Sequence, residues 1–245
     1  MTDPPNNRLF WESEAENWIE WARTPDHDDY WDYAPRFFDD IVPADAGRIL
    51  EIGCGEGRVT RDLRARGHDV VSVDGSPSLV RAASEADPDH GTYVLADAAS
   101  LPFADGSFAC AVAYNSLMDM DDMPATVTEA ARVLRAGSAL CISVTHPMAD
   151  AGRFESREAD ARFVIDGSYL DPAPFDESFE RAGLRIRFRG FTFPLQAYSK
   201  ALEDAGFVIE RICEPRQTME AVADDPAEAR WRRLANFLFI RARKL

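Results

Sequence analysis

Long apolar runs, paired cysteines and signal-peptide features are all missing from this sequence. No run of about 18 uninterrupted apolar residues occurs, so we expect no membrane-spanning helix. The 4 cysteines lie singly, without Cys-x-x-Cys or Cys/His pairs at zinc-ligand spacing, so we expect no metal site. Reduced thiols in apolar runs behave as small hydrophobes. The first residues lack the signal-peptide pattern of a basic and then an apolar stretch. We therefore expect a cytoplasmic protein.

Basic residues are also few relative to acidic ones. The chain has 27 Lys and Arg against 43 Asp and Glu, a formal net charge of −16. Such a field repels the phosphate backbone of nucleic acids and the anionic surface of membranes. We therefore expect neither nucleic acid nor membrane as a partner, while solubility alone also explains the charge.

Apolar runs alternate with helical periods from Arg48 onward, which predicts a mostly parallel α/β sheet. The length of 245 residues and the 46% apolar fraction suit one such domain with a cap. Ser76 before Pro77 predicts a helix start, and Gly137 and Gly206 predict helix ends. Seven strands are predicted, at residues 48–52, 69–73, 92–95, 108–114, 139–145, 207–213 and 236–242.

Two regions stand outside this alternation. Residues 1–42 are rich in aromatics at helical spacing and are predicted to form a helical lid, with core packing against the sheet as the alternative. Residues 148–193 are predicted to be an inserted substrate cap, because so long a segment within a compact domain is more often a lid than a simple connection. The main domain would then comprise residues 43–147 and 194–245.

The strongest motif is Gly53-x-Gly55-x-Gly57, at the junction between a predicted strand and a helix. Glycine suits a sharp turn whose backbone must approach a ligand without a Cβ in the way. Asp74 closes the next strand, where a carboxylate can accept hydrogen bonds from two ribose hydroxyls. The combination predicts a ligand that contains adenosine.

The glycine spacing and Glu51 narrow the choice of ligand. Dinucleotide-binding chains favour Gly-x-Gly-x-x-Gly, whose helix N-terminus holds a pyrophosphate. A carboxylate two residues before the first glycine would oppose a pyrophosphate and tolerate a cation. S-adenosylmethionine carries a sulfonium and an ammonium and no phosphate, so it is the expected cofactor.

These motifs, in this order over residues 48–146, resemble those of class I S-adenosylmethionine-dependent methyltransferases, with a weaker similarity of the C-terminal part to the ubiquinone/menaquinone-biosynthesis-like branch. The resemblance implies a Rossmann-like sheet of seven strands with the last one antiparallel. It also implies that Asp74 holds the ribose and Asp97 the adenine, although Asp97 could instead cap a turn. The implied cofactor-binding set is Glu51, Gly53, Cys54, Gly55, Gly57, Asp74, Gly75, Ser76, Asp97, Ala98, Tyr114 and Asn115.

The reacting end is less well defined by the sequence. His146 follows the fifth strand and is the best candidate for a general base, the alternative being that it orients substrate or bonds a backbone carbonyl. Tyr33 is a second catalytic candidate, and Asn115 suits positioning. Arg23 could pair with the methionine carboxylate.

The sequence leaves three functions open. The first is methyl transfer to a small-molecule acceptor by in-line displacement. The second is a fold relative that binds the cofactor and performs other chemistry, and the third is an NAD-dependent oxidoreductase, which the glycine spacing disfavours. Arg185, Arg187 and Arg189 share one predicted strand face, which is expected to be solvated; an acidic acceptor or the second subunit of a homodimer are the alternatives.

Overall fold

The structure is a computed structural model and describes residues 6–87 and 91–245. Short 3-10 helices cover Leu117–Asp119 and Pro226–Arg232. The α-helices are α1 (Asn7–Ser13), α2 (Ala15–Arg23), α3 (Tyr30–Asp40), α4 (Arg58–Ala65), α5 (Pro77–Ala86), α6 (Met123–Val133), α7 (Pro147–Asp150), α8 (Leu195–Asp204) and α9 (Met219–Asp224). The strands are β1 (Arg48–Ile52), β2 (Asp69–Asp74), β3 (Thr92–Leu95), β4 (Phe108–Tyr114), β5 (Leu134–Thr145), β6 (Gly152–Phe154), β7 (Phe163–Ile165), β8 (Ala173–Arg181), β9 (Leu184–Thr192), β10 (Phe207–Cys213) and β11 (Phe237–Lys244).

The central sheet has seven strands in the order β10-β11-β5-β4-β1-β2-β3. The pairs from β3 to β5 are parallel, whereas β11 runs antiparallel to both of its neighbours. The predicted Rossmann-like sheet with an antiparallel last strand is confirmed. Its order reverses between β1 and β4, and ligands of such sheets bind beyond the carboxyl ends of the strands at that point.

The start of β5 differs from the prediction. Helix α6 ends at Val133, and Leu134 already pairs with Phe108 before the register shifts by Cys110. Gly137, with a φ of 79°, therefore lies inside β5 and does not cap the helix. The helix start at Ser76 is confirmed, because its Oγ accepts a hydrogen bond from the N–H of Leu79 at 3.2 Å.

Apolar side chains fill both faces of the sheet. Alternate residues of β1 point to opposite faces, so Leu50 and Ile52 join one cluster and Ile49 joins the other. Helices α6 and α8 cover the first face, and α3 and α4 cover the second. This packing fixes the carboxyl edge of the sheet as a rigid platform for the loops that follow β1, β2 and β4.

The N-terminal aromatic segment divides into two parts. Tyr33 and Phe37 of α3 are buried against the sheet, so this helix belongs to the core. Helices α1 and α2 instead lie above the loops that follow β1 and β2. The predicted lid over 1–42 is thus core in its last third, and its first five residues lie outside the described ranges.

The inserted segment forms two small antiparallel hairpins, β6–β7 and β8–β9. In β9, Ile186 is buried while Arg185 and Arg187 are exposed, which confirms the predicted strand with one solvated face. Phe188 of β9 contacts Trp18 of α2, with ring centroids 6.1 Å apart. The described part of the chain includes no helix long and apolar enough to cross a bilayer.

Candidate functional site

The glycine-rich loop leaves β1 in a conformation that side chains disfavour. Gly53, Gly55 and Gly57 have φ values of 74°, 54° and 88°. A Cβ on Gly53 would lie 2.6 Å from the Cβ of Ser116, so the backbone passes directly beneath the segment after β4. Cys54 between them is buried, and burial raises the pKa of its thiol well above the usual range. We therefore regard this thiol as a small apolar contact.

Asp74 ties this loop to the end of β2. One carboxylate oxygen accepts the N–H of Gly55 and the other accepts the N–H of Ser76, both at 2.8 Å. Each oxygen of a carboxylate has a second lone pair, so the group can still accept from two vicinal hydroxyls. The geometry fits the ribose role that the family resemblance implies.

Asp97 lies at the same edge, one strand further out. The N–H of Ala96 donates to the carbonyl of Asp74 at 3.0 Å, which places the turn after β3 beside the end of β2. The Asp97 side chain is exposed and accepts the N–H of Ala99 at 2.9 Å, the arrangement of a turn cap. Ala98 is buried in the core. The adenine role of Asp97 stays a prediction.

Glu51 does not carry the charge assigned to it from the sequence. Its buried carboxyl bonds Thr60 and lies 3.4 Å from the hydroxyl of Ser72. Burial raises the pKa of this group to about 8, so it is mostly protonated at neutral pH. Glu51 therefore stabilises the junction of β1, α4 and β2, and its charge is no argument for a cationic ligand.

Side chains of α1 and α2 cover the loop. The indole Nε1 of Trp18 lies 2.8 Å from the position that a Cβ on Gly55 would take. Arg8 donates from Nε to the carbonyl of Gly75 at 2.8 Å, and its Cγ lies 3.2 Å from the position of a Cβ on that glycine. Both side chains therefore lie where a ligand of the loop would pack.

A second contact holds α1 against α5. Glu12 accepts hydrogen bonds from the hydroxyl of Ser76 at 2.5 Å, from the hydroxyl of Ser78 at 2.7 Å and from the N–H of Ser78 at 3.0 Å. These bonds lower the pKa of Glu12. Because Ser76 also caps α5, its side chain is already engaged when α1 is seated.

Arg23 has a different partner from the predicted one. Its guanidinium donates to Glu56 and to the carbonyl of Ala82, each at 2.8 Å. Glu56 is 1% exposed and also receives a two-pronged contact from Arg61. A buried carboxylate needs such pairing, so Arg23 anchors the end of α2. This position leaves no support for contact with a methionine carboxylate.

The end of β4 carries Tyr114 and Asn115. Tyr114 is 8% exposed, and its ring packs in the core among aromatic residues of α3. Asn115 has a φ of 50°, and its Oδ1 accepts the hydroxyl of Ser143 at 2.6 Å. A left-handed conformation outside glycine is uncommon and occurs often at functional sites. Asn115 therefore fits a positioning role, whereas Tyr114 supports the loop from beneath.

Neither of the two predicted catalytic residues, His146 and Tyr33, offers an unengaged basic atom. Nδ1 of His146 accepts the N–H of Met148 at 3.1 Å, so Nε2 carries the proton and donates to Glu214 at 2.9 Å. His146 therefore caps α7. This role is close to the alternative that the sequence left open for His146, a hydrogen bond to the backbone. Tyr33 is 2% exposed, and burial raises the pKa of its hydroxyl far above neutrality. It cannot act as a base at neutral pH.

Asp119 is a candidate site residue that the sequence did not single out. Its Oδ1 lies 2.7 Å from the position of a Cβ on Gly190, so it faces the cap strand β9. Burial, followed by the charges of Asp74 and Asp150, raises its pKa well above the usual range. The signal available in the sequence was its place three residues after Ser116, in the segment that follows β4.

Comparisons with known proteins identify the kind of domain that carries this loop. Residues 50–142 match the sequence family described as a methyltransferase domain. Over 103 residues the chain is 40% identical to an O-methyltransferase from Aspergillus nomiae, and the matched region covers 39% of this chain and 45% of the relative. Over 96 residues it is 36% identical to a demethylmenaquinone methyltransferase from Beutenbergia cavernae, covering 39% and 40% respectively. The chain thus spans less than half the length of these curated relatives.

A solved structure matches over a larger share of the chain. An S-adenosylmethionine-dependent methyltransferase from Mesorhizobium loti superposes with a TM-score of 0.71 at 25% identity, covering 89% of this chain and 99% of the other. This match confirms the expected fold and resemblance. Residues 50–142 are therefore a methyltransferase domain, and the sheet around them has the class I methyltransferase fold.

Proposed function

We propose that this protein is an S-adenosylmethionine-dependent methyltransferase that acts on a small-molecule acceptor. The observation that carries the proposal is the Asp74 carboxylate, held by the N–H groups of Gly55 and Ser76 at the lip of the glycine-rich loop. The three glycines of the loop do not have the Gly-x-Gly-x-x-Gly spacing of a pyrophosphate-binding site. The methyltransferase domain match and the S-adenosylmethionine-dependent structural relative support the same ligand.

The charges around the loop favour a cationic ligand. Burial raises the pKa of Asp119, and Asp74 and Asp150 raise it further, so the ionised form of Asp119 is repelled by these two carboxylates unless a cation lies nearby. The methyl donor carries a sulfonium and an ammonium, which would relieve that repulsion. In this proposal Asp74 holds the ribose, Gly53 and Gly55 line the methionine part, and Asp119 lies on the cationic side.

When bound, S-adenosylmethionine would supply a methyl group that its sulfonium activates for displacement by a lone pair of the acceptor. The chain's own contribution is alignment, which can supply about 7–11 kcal/mol in well-oriented systems. Asn115 holds a fixed amide at the end of β4, and α1 with the β8–β9 hairpin excludes water. Any acceptor proton passes to solvent, since His146 is engaged on both nitrogens.

Helices α1 and α2 form the lid in this proposal, and the insertion between β5 and α8 forms the cap. Trp18 and Arg8 lie over Gly55 and Gly75, so admission of a ligand requires these helices to move. A homodimer stays a prediction, which light scattering after gel filtration tests. A cytoplasmic location also stays a prediction, supported by the unpaired thiols of Cys110 and Cys141, 3.9 Å apart in the core.

The test is release of S-adenosylhomocysteine from the methyl donor across a panel of phenols, amines and carboxylates. We expect turnover with at least one acceptor and loss of most of it in Asp74→Asn. Tight donor binding without product from any acceptor would instead favour a fold relative with other chemistry.

A further inference from the structure

Three carboxylates lie beside the carboxyl end of β5 and the start of β11. Asp29 precedes α3, Asp32 lies in its first turn, and Glu228 lies in the 3-10 helix before β11; we call these three residues the acidic cluster. The buried amide Nε2 of Gln217 donates to Asp32 at 3.1 Å and to Glu228 at 3.2 Å. Nδ2 of Asn236 donates to Asp29 at 2.9 Å. One amide thus bridges Asp32 and Glu228, and a second holds Asp29.

The acidic cluster is poorly neutralised by the protein itself. In the described ranges, no basic side chain lies within ion-pair distance of Asp29 or Asp32, and Glu228 has only Arg230 at 3.9 Å. Arg181 lowers the pKa of Asp29, but burial and the charge of Glu228 outweigh it and raise that pKa to about 6. Like charges at a half-buried position are unfavourable unless a cation joins them.

A buried hydroxyl with no partner lies near the acidic cluster. Tyr33 is 2% exposed, and its hydroxyl has no hydrogen-bond partner among the described residues. It lies one helical turn after Asp29, whose carbonyl accepts the N–H of Tyr33 at 3.2 Å. After burial, the charges that raise its pKa most are those of Asp29, Glu228 and Asp32. Unpaired buried polar groups are rare, and a ligand is one explanation.

The acidic cluster lies on the acceptor side of the proposed site. The carbonyl of Asn236 accepts the N–H of His146 at 2.8 Å, which puts Asp29 next to the end of β5. Asn115, at the end of the neighbouring β4, bonds Ser143 of β5. Two strand spacings, or roughly 10 Å, separate β4 from β11. That distance suits a recognition group some way from the methylated atom.

We propose that the acidic cluster binds the ammonium group of a cationic acceptor, with the Tyr33 hydroxyl accepting one further hydrogen bond from that group. An ammonium has a full positive charge, which the three carboxylates match, and three donors, which two of the carboxylates and the hydroxyl can accept. Because the cluster is apart from the donor loop, the ammonium is a recognition group and need not be the methylated atom. This inference rests on the proposed methyl transfer.

The test compares matched sets of amine, alcohol and carboxylate on the full-length chain saturated with S-adenosylhomocysteine. Suitable sets are tyramine, 4-(2-hydroxyethyl)phenol and 4-hydroxyphenylacetate, and 1,5-diaminopentane, 1,5-pentanediol and glutarate. Calorimetry at millimolar concentrations should show each amine binding about tenfold or more tightly than its alcohol, with the carboxylate weakest.

Variants connect this preference to the acidic cluster. The double variant Asp29→Asn/Asp32→Asn keeps the side-chain shapes and should lose most of the amine preference. Tyr33→Phe should weaken amine binding by about three- to tenfold with little change for the alcohol. The double variant Asp45→Asn/Asp69→Asn, at two exposed carboxylates outside the cluster, is the charge-matched control and should behave as wild type.

Two failures can be told apart. Failure to bind S-adenosylhomocysteine refutes the proposed function itself. Normal binding of S-adenosylhomocysteine without an amine preference, or with a preference that survives in the double variant, overturns the ammonium site alone. Thermal melts of each variant show whether a loss of binding is a loss of fold.

Discussion

Replacing Asp74 by asparagine tests the ribose assignment together with the architecture of the loop. The wild-type carboxylate accepts one N–H on each oxygen, from Gly55 and from Ser76. An amide can accept only one of them, because its NH₂ group would face the other donor. Hydrogen bonds to charged groups contribute about 1.5–3 kcal/mol, so the free energy of unfolding should fall by that amount.

The same substitution should weaken cofactor binding separately. One hydrogen bond from a ribose hydroxyl to the carboxylate would be lost. Its loss should cost about 1.5–3 kcal/mol of binding free energy, which raises the Kd roughly 10- to 150-fold. The assay is calorimetric titration of S-adenosylhomocysteine, combined with thermal melts in which the Tm should drop by roughly 3–12 °C. The matched control is Asp69→Asn, at an exposed carboxylate at the start of the same strand.

Two outcomes would refute the reasoning. A folded Asp74→Asn with a Kd within twofold of wild type would remove the ribose assignment. An equal weakening in Asp69→Asn would show that the effect is one of net charge and not of the loop.

Three further predictions follow from the same geometry. Glu51 has a folded pKa of about 8, above its unfolded value, so wild-type stability should fall as pH rises from about 4.5 to 8. Urea melts of Glu51→Gln should lack this slope. Wild-type and Glu51→Gln stabilities that change with pH in parallel would contradict the burial argument. S-adenosylhomocysteine should shift the tryptophan emission, and Trp18→Phe should remove most of the shift while Trp231→Phe keeps it; a shift unchanged in Trp18→Phe would argue against the moving lid. His146→Asn should cost less than about 2 kcal/mol of stability and leave kcat within about threefold of wild type, whereas a loss of about 10²–10⁴-fold would restore a catalytic base.

Local chemistry explains which parts of the fold were predictable. Glycines with positive φ, the cap at Ser76 and the apolar runs act within a few residues, so the loop and all seven strands could be placed from sequence. Gly137 misled because a glycine with positive φ suits both a helix end and an irregular strand. Only the pairing of Leu134 with Phe108 decides between them.

The tertiary contacts of the site residues could not be predicted in this way. Glu51 reads as a charge in sequence, but its environment of Thr60 and Ser72 makes it a buried neutral group. Arg23 finds Glu56, which is 33 residues away in the chain. The acidic cluster likewise combines segments that are far apart along the chain. Such partners depend on tertiary packing, which periodicity does not contain.

The central claim is that the glycine-rich loop and Asp74 form a site for the methyl donor. The most direct test is a calorimetric comparison of S-adenosylmethionine with NAD⁺ on the wild-type chain. We predict saturable binding of S-adenosylmethionine at one molecule per chain and no measurable heat from NAD⁺. Saturable binding of NAD⁺ with none of the methyl donor would contradict the claim.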